Sequence, residues 1–97
     1  MQAIEIFSLA NQYHLEGNYV MAIDLWNKSL QDPTFSLSYL NLANEYLRSG
    51  NAQKALECYV NFKRRPLTGE TIDMLPMVNG KIQEIQKQLT PQPAQVK

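Results

Sequence analysis

Few side chains in this chain are suited to chemistry. His14 is its only histidine and Cys58 its only cysteine. A metal site needs several His, Cys or carboxylate ligands at a recognisable spacing, so an isolated His14 reads as a surface or groove residue. A nucleophilic thiol needs a base beside it; Cys58 has no histidine near it in sequence and reads as a bystander. The nine acidic residues are scattered, and no two of them fall in a catalytic motif. A glycine-rich phosphate loop, a Cys-x-x-Cys and a serine elbow are all missing. The expectation is a binding protein without catalytic residues, cofactor or metal, and not an enzyme.

Lys63, Arg64 and Arg65 form the one basic run. At a helix end their charge would meet the carbonyl end of the helix dipole, or it could form a patch for an anionic partner. Nine basic and nine acidic side chains cancel, so no net field attracts a polyanion and nucleic acid is not the expected partner. Hydrophobic residues make up 44% and charged residues 19% of the 97, the composition of one globular domain. A single cysteine cannot form an internal disulfide, no run of about 18 apolar residues occurs, and Met1 to Glu5 lack the basic, apolar pattern of a secretion signal. A cytoplasmic location without a membrane span is expected.

The elements that position these residues are revealed by an internal repeat. With the sequence shifted by 33, eight positions coincide: Leu9 with Leu42, Ala10 with Ala43, Asn11 with Asn44, Tyr13 with Tyr46, Gly17 with Gly50, Asn18 with Asn51, Ala22 with Ala55 and Pro33 with Pro66. Trp26 meets Tyr59 as a near-equivalent. Each unit reads as two helices. Ile6, Leu9, Ala10 and Tyr13 recur at helical spacing; Gly17 suits a left-handed helix end, and Asn18 can cap the helix that follows. Ala22, Ile23, Trp26 and Leu30 make the stripe of the second helix. The next unit repeats this with Tyr39, Leu42, Ala43 and Tyr46, then with Ala55, Leu56, Tyr59 and Phe62. Asp32 and Pro33 read as a cap followed by proline in a first helical turn.

Leu9-Ala10-x-x-Tyr13, Ala22, Trp26 and Pro33, and again Leu42-Ala43-x-x-Tyr46, Ala55, Tyr59 and Pro66, resemble the tetratricopeptide repeat, whose consensus runs Trp, Leu, Gly, Tyr, then Ala, an aromatic and Pro. The period is one short of the usual 34, and Ser29 and Phe62 stand where the second helix normally has a small residue. The resemblance covers about residues 3–67. It implies an all-α fold of stacked antiparallel hairpins, a right-handed α-solenoid, with repeats at about 3–35 and 36–68. Residues 70–89 read as a capping helix, in which Pro76 marks either a kink or the true start after a short first turn. The domain is thus 1–89, with 90–97 expected as a disordered tail.

In this family the first helix of each hairpin lines a concave groove. Carried over by position, that implies a protein-binding surface of Ile4, Phe7, Asn11 and His14 with Leu37, Leu40, Asn41, Asn44 and Leu47. Most of these are apolar and none belongs to the inter-helix stripes, so a peptide or amphipathic helix is the expected partner. Alternatively Ile4 and Leu37 pack under the turns, or the last helix folds over the strip. Asn11 and Asn41 fall where some family members clamp a chaperone tail's carboxylate, but Phe7, Glu70 and Met74 stand where that clamp needs basic residues. The functions implied are an adaptor or co-chaperone, a dedicated chaperone of a secreted helical subunit similar to type III secretion chaperones, or a structural homodimer using the same strip.

Overall fold

The computed structural model describes residues 1–90 and is all-helical over them. Helix α1 (Ala3–Leu15) and α2 (Tyr19–Ser29) pack along each other, as do α3 (Leu37–Arg48) and α4 (Ala52–Arg64). The four-residue helix α5 (Gly69–Ile72) leads into α6 (Leu75–Leu89), which packs on α4. No helix among the described residues is long and apolar enough to cross a membrane. Of the tail expected at 90–97, all but Thr90 lies outside the described residues.

The two hairpin turns are built alike because their residues are alike. Gly17 and Gly50 have φ of +84° and +86°, a backbone region where a side chain is strained. That geometry lets the N–H of Asn18 reach back to the Tyr13 carbonyl at 2.9 Å, and that of Asn51 to Tyr46 at 2.7 Å. The Asn18 and Asn51 side chains then accept from the N–H of Met21 and Lys54, capping α2 and α4. Helix contact follows from small residues. Ala10, Ala22, Ala43 and Ala55 are all fully buried, so their methyls are where the paired helices meet. Of the other stripe residues Trp26, Leu30, Leu42, Tyr59 and Phe62 are in the core, Tyr13, Ile23, Tyr39, Tyr46 and Leu56 pack half-buried against it, and Ile6 and Leu9 are only half-buried.

Pro76 sits in the first turn of α6, so the helix starts there and is not kinked. The chain is not helical throughout 70–89: Thr68 and Thr71 close a capping box around α5, and α6 begins afresh at Leu75. Val78 and Ile85 bring α6 into the core, whereas Ile72 of α5 and Leu89 at the end of α6 are half exposed.

Asp32 and Pro33 do not cap α3. The Asp32 carboxylate accepts from the N–H and hydroxyl of Thr34, folding a local turn, and α3 begins only after Ser36. The delay brings Phe35 back against Phe7, ring centroids 5.5 Å apart. Of the basic run, Lys63 and Arg64 lie in the last turn of α4, where the dipole reading puts them, whereas Arg65 acts differently. Arg65 turns away from its own helix and donates from Nη1 to the carbonyls of Leu30, Asp32 and Phe35 at 3.0, 2.8 and 3.1 Å. Its Nη2 donates to the Tyr39 hydroxyl at 3.0 Å. One guanidinium thus ties the end of the second hairpin to the segment joining the two.

Charge-assisted hydrogen bonds to three carbonyls of the connecting segment make Arg65 a point of stability. Arg65→Ala is expected to lower the unfolding free energy by about 2 kcal/mol in urea titration, and the exposed neighbour change Arg64→Ala by less than about 0.5.

Candidate functional site

The face of α1 and α3 turned away from the apolar stripes carries asparagine at 11, 41 and 44, and the structure uses all three. Asn11 Oδ1 accepts from the indole N–H of Trp26 at 3.0 Å and from the Asn41 amide at 2.8 Å. One oxygen therefore joins α1, α2 and α3. In the second hairpin Asn44 Oδ1 accepts from the Tyr59 hydroxyl at 3.3 Å. Asn11 to Trp26 and Asn44 to Tyr59 are the same bond, displaced by one repeat. In both hairpins the side-chain carbonyl accepts from an aromatic of the second helix, and the amide NH2 is then left for other partners.

Asn11, Asn41 and Asn44 line a cleft of about 260 Å³ together with His14, Leu15 and Trp26. Four of the nine residues expected at the binding surface thus come together. The other five do not line this cleft. Leu40 is 9% exposed and belongs to the core. Phe7 is half-buried on Phe35, and Leu37 and Leu47 are half-buried against the core, while Ile4 is 49% exposed. A continuous, free apolar strip is therefore absent: the apolar members were read as surplus to packing, but the approach of the hairpins and the fold-back of Phe35 absorb most of them. The last helix does not cover the surface either, since it packs on α4.

At one end of the cleft His14 stands against the rings of Tyr19 and Trp26, centroids 5.1 and 5.6 Å away. Its Nε2 lies 3.4 Å from Oε1 of Glu45, a carboxylate only 4% exposed. Arg48 pairs with the same carboxylate, and its guanidinium lies 4.2 Å over the Tyr19 ring. The Arg48 hydrogen bond, opposed by burial and helped by the charges of Arg48 and His14, holds the Glu45 carboxyl below its ordinary value. Glu45, Arg48 and Tyr19 were not legible as site residues. The signal was an acid and a base three apart on one helix, a spacing too common to single out.

Cys58 is 8% exposed, and burial, assisted by the charge of Glu57 and opposed by Lys54, pushes its thiol up to about 11. No protein-family model matches the chain, and no curated protein matches its sequence.

Two outcomes follow. The Glu45 pair contributes stability that is complete above the ordinary carboxyl value of 4.5 and is lost as pH falls through the lowered native value. Acid titration of unfolding by circular dichroism should therefore give a shallower loss below pH 4.5 for Glu45→Gln than for the unsubstituted chain. Iodoacetamide at neutral pH should label Cys58 slowly in the native protein and at the rate of a free thiol in urea, as followed by mass spectrometry.

Proposed function

We propose that the chain is a tetratricopeptide-like protein-interaction module, an adaptor or co-chaperone, that docks an extended peptide segment of another protein in the cleft between α1 and α3. The observation that carries this is the set of three asparagine amides each held by the framework through one end, the carbonyl in Asn11 and Asn44 and the NH2 in Asn41, with the other end left for a partner. Hydrogen-bonding side chains in a row suit the main chain of an extended segment, which presents donors and acceptors along its edge. An amphipathic helix has spent its main-chain groups internally and needs an apolar trough, so it suits this cleft less well. Repetition of the Asn-to-aromatic bond at the 33-residue period supports the repeat reading.

The charge of the surroundings adds to this. The carboxylate there, Glu45, is paired with the guanidinium of Arg48, so the two charges cancel at that end of the cleft. An uncharged segment is favoured over an acidic tail.

A display library of random 12-residue peptides, selected on the purified chain, supplies the probe. Binders are expected to shift the side-chain amide resonances of Asn11, Asn41 and Asn44 and the Trp26 indole signal in nitrogen-proton spectra. Asn11→Ala with Asn44→Ala should weaken them by about tenfold or more. Binders that instead move Ile72, Met77 and Leu89 on the outer side of the last two helices would contradict the cleft assignment.

A further inference from the structure

Trp26 and Tyr59 occupy equivalent places but are not equivalent as hydrogen-bonding groups. An indole nitrogen only donates, whereas a phenol hydroxyl both donates and accepts. Trp26 is 2% exposed, and its N–H has Asn11 Oδ1 as its partner. Were the Asn11 amide turned over, two donors would face each other and a buried N–H would be left unpaired. Asn11 is therefore locked with its oxygen inward and its NH2 outward. The same oxygen also takes the amide of Asn41, so Asn41 is locked in turn, with its NH2 toward Asn11 and its oxygen left over. Tyr59 imposes no such rule: its hydroxyl could accept from a turned-over Asn44 as readily as it now donates at 3.3 Å.

We infer that Trp26 is a positioning residue that sets the hydrogen-bond polarity of the cleft, fixing Asn11 as a donor and Asn41 as an acceptor to the partner's main chain while Asn44 stays adaptable. The inference rests on the docking reading above and adds which groups of the partner are read. The partner offers a main-chain carbonyl to Asn11 and a main-chain N–H to Asn41, as neighbouring groups on one edge of an extended strand do. Opposite Asn44 either group is accepted, because the amide turns to suit it.

The test uses a 12-residue peptide selected from the random display library on the unsubstituted chain and resynthesised with single ester bonds, each deleting one main-chain N–H. One ester, at the N–H that faces Asn41, is expected to weaken binding by about fivefold, and esters facing Asn44 by less than about twofold. On Trp26→Tyr, with helicity confirmed by circular dichroism, the penalty at the Asn41 position should fall below about twofold, because a hydroxyl lets both amides turn over. A purely structural role for Trp26 would lower affinity for the parent peptide and all esters alike; an unchanged ester ratio overturns the inference. If Trp26→Tyr does not fold, Asn11→Asp serves, since it keeps the acceptor for Trp26 and removes the donor. It should leave the indole N–H exchange rate with water unchanged while weakening binding by about fivefold or more; unchanged binding overturns the inference. Failure to select any peptide removes the docking reading and the polarity rule together, whereas binders indifferent to these changes remove only the rule.

Discussion

The buried indole N–H of Trp26 must have an acceptor, and the one it has lies where three helices meet. Asn11 gives its oxygen to Trp26 and, from the other side, to Asn41, so α1, α2 and α3 are held at a single atom. An unpaired buried donor costs more than a typical hydrogen bond gains, so this junction tolerates few alternatives. Two further contacts hold the hairpins in the same relation. The buried hydroxyls of Ser29 and Ser38 bond to each other across α2 and α3. Arg65 gathers the carbonyls of the segment that joins them. The contact between hairpins thus includes polar bonds as well as apolar packing, and the cleft is lined by the members of the Asn11 junction.

Equivalent residues do equivalent work in the two hairpins up to the point where each meets its neighbour. The glycine turns, the asparagine caps, the buried alanines and the Asn-to-aromatic bond all recur. The differences lie at the contacts. Ser29, beside α3, is small and hydrogen-bonded, whereas its counterpart Phe62 is a fully buried ring in the core that α6 joins. The two positions differ between the hairpins, and the difference matches what each one faces.

Elements set by local chemistry were readable from the residues. The turns at Gly17 and Gly50, the caps at Asn18 and Asn51 and the buried stripes each depend on neighbours within one or two turns of helix. Pro76 left two outcomes open, and the first-turn position holds. What could not be read depends on chain that returns from far away. Asp32 and Pro33 have the residue types of a cap, yet Phe35 must reach Phe7 first, so the helix starts late. Arg65 resembles any helix-end arginine until the carbonyls some thirty residues earlier are in place. The surface residues were half legible for the same reason. Asn11, His14, Asn41 and Asn44 meet in a cleft, but Leu40 is core and the expected apolar strip is largely consumed by packing.

The most direct measurement is a nuclear Overhauser spectrum of the free chain, read at the Trp26 indole proton. That proton and an Asn41 amide proton each lie about 2 Å from the same Asn11 oxygen, so they lie within about 4 Å of each other. A cross-peak between Trp26 and the Asn41 side-chain amide is the predicted result, and it reports α1, α2 and α3 in one contact. An indole proton that exchanges freely with water and shows no cross-peak to Asn41 would contradict the junction and, with it, the shape of the cleft.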